Sequence, residues 1–187
     1  MTPVLDHPEV RESLMPISVE FYHEMGRLGM IGEDVELLEG FLIKTMSKSP
    51  LHSFIVRRCQ HALQAALREG MFIIKEDPIT MERSEPEPDL AVIDGNEEDF
   101  ARHHPATARL IIEVSVSTLQ KDRSKAMIYA GAGVPEYWLI EPEAKRVTVY
   151  HLPEADGYRD VVSYSGENTV GSQVLPGFTL NLTELFE

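Results

Sequence analysis

The sequence contains one cysteine, Cys59, among 187 residues, and no apolar run approaches the ~20 residues needed to span a bilayer. A single cysteine excludes an internal disulfide and suits a reducing compartment. The first 16 residues lack a basic stretch followed by an apolar one, so they do not have the pattern of a signal peptide. We therefore expect a cytoplasmic protein with no membrane association.

Basic residues are also scarce, with 17 Lys and Arg against 31 Asp and Glu and a formal net charge of −14. This balance opposes general binding to polyanions, because long-range repulsion slows encounter with nucleic acid. The basic residues nevertheless group on two predicted helices: Arg57, Arg58 and Arg68 on the first, and Lys121, Arg123 and Lys125 on the second. A nucleic-acid function therefore needs a local basic patch on an acidic chain.

Common cofactor motifs are missing too. The seven histidines and the single cysteine show no H-E-x-x-H pattern and no Cys/His spacing typical of zinc sites. No G-x-G-x-x-G or Walker A segment occurs. These absences argue against a structural zinc and against the common nucleotide-binding loops.

The length and composition predict one mixed α/β domain. Residues 1–16 carry three prolines and many charges and predict a loosely ordered lead-in, so the domain is expected to span 17–187. Glu39-Gly40 predicts a hairpin within 35–46, and Ser49-Pro50 predicts the start of a helix that ends at Gly70. Further patterns predict strands at 71–77, 89–94, 108–117, 136–142 and 146–153, and a helix at 121–133. The expected architecture is a central sheet flanked by a few helices.

One strand carries an unexpected charge. In LIIEVSVST, residues 110–118, Glu113 interrupts an apolar run rich in β-branched residues. Alternation places Glu113 on one face with Ser115, while Ile112 and Val114 lie on the other. The simplest interpretation is a solvated glutamate on a half-exposed strand, since antiparallel sheets often have one wet face.

A second carboxylate favours another interpretation. Asp89 directly follows Pro88 and opens the apolar segment DLAVID. If this strand lies beside that of Glu113, the two carboxylates converge and repel, so that one pKa rises unless a cation relieves them. Mg²⁺ suits such a site because it takes one or two carboxylates, keeps waters and binds phosphate oxygens.

The order of motifs resembles a known family. Pro88-Asp89 followed by IEVS at 112–115 resembles the PD-(D/E)XK nuclease core. From about residue 34 onwards, the chain is similar to the bacterial family of putative restriction endonucleases, whose biological role is largely unknown. The resemblance lies in VELLEGFLIKTMSKSPLHS, EPDLAVI, LIIEVSVSTLQKDRSKAMIYAGAGVPEYWLIEP and LPGFTLNLTELF.

This resemblance implies a restriction-endonuclease-like fold with an added N-terminal β-hairpin and an active site at one edge of a mixed sheet. It implies Asp89 and Glu113 as metal ligands, with Glu36 of the hairpin joining them. The implied cofactor is Mg²⁺, with Mn²⁺ as a possible substitute, and the implied substrate is DNA. By analogy a homodimer is expected, with the hairpin that begins at EYWLI (strand 136–142 paired with strand 146–153) as a candidate interface.

The chain departs from the nuclease pattern at Ser115, which stands where a lysine is expected two residues after Glu113. Lys125, on the next helix, is the candidate substitute, where it would stabilise charge on the phosphate or activate water. The alternative is a solvated lysine on the helix surface, paired with Asp122 or Tyr129. His52 could approach the site beside Glu36, or it could be a helix-end histidine held by a backbone contact. Ser115, His52 and Asp122 are therefore expected in supporting positions.

Three functions remain open from the sequence. The first is a metal-dependent nuclease that hydrolyses phosphodiester bonds in DNA. The second is a catalytically silent module of the same fold that binds proteins or, weakly, nucleic acid, as the acidic balance and the missing lysine suggest. The third is an intracellular scaffold whose Glu113 is a solvated strand residue, which requires Asp89 and Glu113 to lie far apart.

Overall fold

The structure, a computed structural model, describes residues 7–187 and has five α-helices and ten β-strands in that range. The helices are Pro8–Glu12 (α1), Val19–Arg27 (α2), Pro50–Ala66 (α3), Leu119–Gly131 (α4) and Leu182–Phe186 (α5). The strands are Val35–Leu38 (β1), Phe41–Lys44 (β2), Met71–Ile74 (β3), Leu90–Asp94 (β4), Leu110–Val114 (β5), Glu136–Glu141 (β6), Arg146–Glu154 (β7), Gly157–Ser165 (β8), Thr169–Gly171 (β9) and Thr179–Asn181 (β10). A 3₁₀ turn at Glu97–Phe100 lies between β4 and β5.

Six strands form the central sheet in the order β3-β4-β5-β6-β7-β8. The neighbours β5 and β6 run parallel, and the other pairs are antiparallel. Helix α4 supplies the crossover that a parallel pair requires. The predicted fold class is therefore confirmed: a mixed central sheet flanked by helices.

The sheet is covered on both faces. On one face, α3 buries Ile55, Cys59 and Leu63 against alternate residues of β5 and β6. On the other face, α4 buries Ala126 and Tyr129 against the intervening residues of the same strands. Because helices cover both faces, all five residues of β5 are buried, including Glu113 at 4% exposure. The interpretation of Glu113 as a solvated strand residue is therefore wrong.

The hairpin formed by β1 and β2 is a separate two-stranded sheet, as predicted. Both turn residues, Glu39 and Gly40, have positive φ, which a type I′ turn requires. A Cβ on Gly40 would lie 2.3 Å from Cβ of Pro16, so the hairpin is packed tightly against the chain that precedes α2. Leu37 pairs with Glu85 in an isolated bridge. These contacts hold the hairpin beside the central sheet.

Two details differ from the sequence predictions. Helix α3 ends at Ala66, before the predicted end near Gly70, because Leu67 adopts an extended ψ of 147°. The hairpin that begins at EYWLI is a candidate dimer interface, but every residue of its first strand, β6, is buried between β5 and β7. The β6 side chains are therefore not exposed for contact with a second chain, and a homodimer through the rest of the hairpin stays a prediction.

The predicted boundary at residue 16 stays a prediction. Residues 1–6 lie outside the range that the structure describes, and residues 8–12 form the short helix α1. Within residues 7–187, none of the helices has the length and apolar character that crossing a bilayer requires.

Candidate active site

The register of β4 and β5 brings Asp89 and Glu113 together. Leu90 pairs with Ile112 in antiparallel register, so the preceding Asp89 comes opposite Glu113. The backbone N–H of Asp89 lies 3.4 Å from Oε2 of Glu113, and the backbone N–H of Val114 donates to Oδ2 of Asp89 at 2.7 Å. Both carboxylates are buried, at 6% and 4% exposure. The scaffold hypothesis required these residues to lie far apart, so the geometry contradicts it.

Helix α4 supplies two donors to Glu113. Lys125 and Tyr129 are four residues apart and so share one face of the helix. The ammonium of Lys125 donates to Oε1 of Glu113 at 2.9 Å, and the hydroxyl of Tyr129 donates to the same oxygen at 2.7 Å. The lysine predicted to replace the missing one does reach Glu113 from a different element.

Glu36 joins this group from the hairpin. Its Oε1 accepts a hydrogen bond from Lys121 at 2.7 Å, and its Oε2 lies 2.9 Å from the ammonium of Lys125. Glu36 is buried at 1% exposure. The structure therefore holds a chain of alternating charges, from Lys121 through Glu36 and Lys125 to Glu113.

His52 reaches the site from the first turn of α3. Its Nε2 lies 3.0 Å from Oδ1 of Asp89, while its backbone N–H donates to the capping hydroxyl of Ser49. Its other ring nitrogen, Nδ1, is buried and has no hydrogen-bond partner among residues 7–187. His52 therefore approaches the site beside Asp89 rather than Glu36, and its backbone is held by the helix cap.

Ser115 and Asp122 lie at the side of the site. Ser115 Oγ is 3.5 Å from Oγ1 of Thr118, whose hydroxyl donates in turn to the Asp122 carboxylate. Ser115 and Asp122 are buried at 5% and 4% exposure. These contacts connect the turn after β5 with the first turn of α4, the helix that carries the lysines. Their supporting roles stay predictions, as do the metal-binding and catalytic roles of the central residues.

Burial and ion pairing together determine the pKa values of Glu113, Glu36 and Lys125. Burial raises the pKa of Glu113 to about 7, even though Lys125 opposes that shift. Burial also raises the pKa of Glu36, but the two neighbouring ammonium groups outweigh it and hold the pKa below its ordinary value. Burial lowers the pKa of Lys125, and Glu113 and Glu36 more than reverse this, so Lys125 stays charged. Glu113 is thus the carboxylate that lacks full charge compensation.

A cavity opens onto these groups and carries excess negative charge. Its carboxylates are Glu36, Glu87, Asp89, Glu113 and Asp122, and its lysines are Lys48, Lys121 and Lys125. Five carboxylates against three ammonium groups leave a formal excess of two negative charges, which one divalent cation would balance. Asp89 and Glu113 are the paired carboxylates that Mg²⁺ accepts, with waters completing its coordination.

No cluster of three or more His, Cys, Asp or Glu side chains suited to a metal ion is found within the described part of the chain. A site of two carboxylates whose remaining ligands are water is compatible with that result.

The raised pKa of Glu113 predicts a pH-dependent stability. In the folded protein Glu113 retains its proton to about pH 7, whereas in the unfolded chain it ionises near 4.5. The tighter proton binding by folded Glu113 therefore adds to the free energy of unfolding. This addition is full below about pH 4.5 and is lost as pH rises towards 7. Urea unfolding in EDTA across this range should show wild type losing a few kcal/mol relative to Glu113→Gln.

Glu143→Gln is the matched control, because Glu143 is exposed in the turn between β6 and β7. Its stability difference from wild type should stay nearly constant with pH. A similarly constant difference for Glu113→Gln would show that Glu113 ionises normally in the folded protein.

Two members of the site were not predicted as functional residues. Tyr129 is a buried residue of α4, and its hydroxyl donates to Glu113. Lys121 was assigned only to a basic patch, yet it binds Glu36. In both cases the available signal was the four-residue spacing from Lys125, which places all three on one face of α4.

Comparison with known proteins agrees with this architecture. A crystal structure of a putative nuclease belonging to DUF820 from Anabaena variabilis is similar to the chain, with a TM-score of 0.78. The alignment covers 91% of this chain and 98% of that one at 19% identity, so the likeness concerns the fold. A search of curated proteins finds no match. The family model described as putative restriction endonuclease (Uma2) matches residues 20–183. This chain therefore belongs to the Uma2 family.

Proposed function

We propose that the protein is a metal-dependent nuclease that hydrolyses phosphodiester bonds in DNA. The observation that carries this function is the convergence of Asp89 and Glu113 at facing strand positions, with Lys125 held 2.9 Å from Glu113. Paired carboxylates beside an ammonium group form a site that can bind a divalent cation and a phosphate together. Membership of a family described as putative restriction endonuclease supports the same reaction class.

Asp89 and Glu113 would hold the Mg²⁺, for which Mn²⁺ can substitute. When bound, the metal supplies a water nucleophile of lowered pKa and stabilises the charge that develops on the phosphate. The backbone N–H of Val114 and the side chain of His52 each take one oxygen of Asp89 and so fix its orientation. These two contacts thus set the orientation of Asp89.

Lys125 takes the role of the lysine that is absent at Ser115. Its ammonium brings a permanent positive charge to the edge of the carboxylate pair, where it stabilises negative charge on the phosphate. Tyr129 donates to the same oxygen of Glu113 and leaves Oε2 directed towards Asp89. Glu36, proposed at first as a metal ligand, has both oxygens beside lysines, and this geometry favours a role in positioning them.

The second candidate function is a catalytically silent module of the same fold. The net charge of −14 is the observation that favours it, because this charge opposes binding to DNA. A cytoplasmic location and a homodimer stay predictions. The buried, single Cys59 is compatible with the first, and sedimentation would measure the second.

The test is incubation of purified protein with supercoiled plasmid and with single-stranded DNA, in Mg²⁺, Mn²⁺ or EDTA. A nuclease converts supercoiled plasmid to nicked or linear forms with either metal and leaves it intact in EDTA. Absence of cleavage of every DNA form in both metals would favour the silent module.

A further inference from the structure

The two lysines that contact Glu36 differ in their freedom to move. Lys125 has 3% of its side chain exposed and is held between the carboxylates of Glu36 and Glu113. Lys121 has 23% of its side chain exposed, and Glu36 is its one ion-pair partner among the residues that the structure describes. Lys121 is therefore the cation of this site that can exchange its partner.

Exchange would not leave a buried charge alone. If Lys121 leaves Oε1 of Glu36, Oε2 of that carboxylate still lies 2.9 Å from Lys125. Removing the last partner of a buried charge is strongly destabilising, but here one partner remains. The arrangement thus permits Lys121 to move while Glu36 and Lys125 stay paired.

Lys121 is also well placed to meet a ligand. It lines the cavity that contains Asp89 and Glu113, and it lines a neighbouring groove between the hairpin and α4. Its ammonium has three donors on a flexible stem and binds phosphate as a point charge. Lys48, the third lysine of the cavity, is paired with Glu76, which does not line the cavity.

We propose that Lys121 is the phosphate-binding residue of this site: without substrate it pairs with Glu36, and it transfers to a backbone phosphate when a nucleic-acid strand binds. This inference rests on the proposed function, because it assumes a phosphodiester substrate. The two lysines then have different roles. Lys125 stays fixed among the carboxylates, and Lys121 holds the strand.

In the exchange, Lys121 keeps an anionic partner. A backbone phosphate carries one negative charge, like the carboxylate that it replaces as the partner of Lys121. Glu36 lines the cavity, and its other oxygen remains 2.9 Å from the ammonium of Lys125. Lys121 therefore exchanges one anionic partner for another, while Glu36 keeps one of its two lysines.

The test compares Lys121→Gln, Lys121→Arg and the control Arg123→Gln. Arg123 lies on the same helix but pairs with Glu141, away from the cavity. Binding of a labelled DNA duplex is measured in EDTA at several salt concentrations, so that cleavage does not contribute. Lys121→Gln should weaken binding about tenfold and reduce the slope of log K against log salt by about 0.9. Lys121→Arg should restore both quantities.

Kinetics provide a second measurement in Mg²⁺. The contact of Lys121 with the backbone phosphate is expected to be equal in the ground and transition states. Lys121→Gln should therefore raise KM and leave kcat nearly unchanged. The free energy of unfolding of Lys121→Gln is measured alongside, so that a folding defect is recognised. Arg123→Gln should match wild type in affinity, salt slope and KM.

The outcomes separate this inference from the nuclease proposal. Cleavage by wild type with unchanged affinity and salt slope in Lys121→Gln overturns the inference and leaves the nuclease function standing. Binding that depends on Lys121 without any cleavage supports the inference for a binding module and overturns the nuclease function. A wild-type protein that neither binds nor cleaves overturns both.

Discussion

Replacing Asp89 by asparagine is expected to reduce DNA cleavage by about 10³-fold while the protein stays folded. A bound metal contributes several kcal/mol to catalysis, and each 1.36 kcal/mol corresponds to a factor of ten in rate. Asparagine keeps the size of the side chain, and its carbonyl oxygen can still accept the N–H of Val114 that Asp89 accepts at 2.7 Å. The measurement is the initial rate of plasmid nicking in Mg²⁺.

The matched control is Asp94→Asn. Asp94 ends the same strand, β4, but it is exposed and paired with Arg109 at the opposite end from the site. This variant should cut at the wild-type rate. Equal cleavage by Asp89→Asn, Asp94→Asn and wild type would show that any activity arises elsewhere on the chain or from a contaminant.

Lys125→Met is expected to lower the free energy of unfolding by about 3–5 kcal/mol at pH 7. The substitution keeps an unbranched side chain but removes the ammonium that Glu36 and Glu113 share at 2.9 Å. Glu113 then lacks a cation at 4% exposure, while Glu36 keeps only Lys121. Urea unfolding in EDTA measures the loss directly.

Two further variants test why Lys125→Met lowers the free energy of unfolding. Lys75→Met removes an exposed lysine whose nearest carboxylate, in Glu76, is 3.9 Å away, and should change stability little. Adding Glu113→Gln to Lys125→Met should recover part of the lost stability, because it removes the unpaired charge of Glu113. A Lys125→Met protein as stable as wild type would show that Lys125 does not compensate these carboxylates.

The pairing of Asp89 with Glu113 was within reach of the sequence. Alternation in LIIEVSVST fixed the face of Glu113, and Pro88-Asp89 marked the start of another apolar strand. The same stretch has apolar residues on both faces over Leu110–Ile112, which is typical of a strand covered on both sides. That feature argued against a solvated Glu113, and the structure places β5 beside the parallel strand β6 under two helices.

Local sequence patterns could not predict the contacts between Glu36 and the two lysines. Glu36 and Lys121 are 85 residues apart, and their contact depends on how the hairpin packs beside α4. Gly40 marked the turn of that hairpin but not its position, which depends on close contact with Pro16. Periodicity finds elements and faces, whereas such long-range packing requires the tertiary structure.

Calorimetric titration with Mn²⁺ measures whether Asp89 and Glu113 together bind one divalent cation. We expect wild type and Asp94→Asn to bind one Mn²⁺ per chain, while Asp89→Asn and Glu113→Gln, both still folded, lose this binding. Equal Mn²⁺ binding by all four proteins, or no binding by wild type, would show that these two carboxylates do not form a metal site.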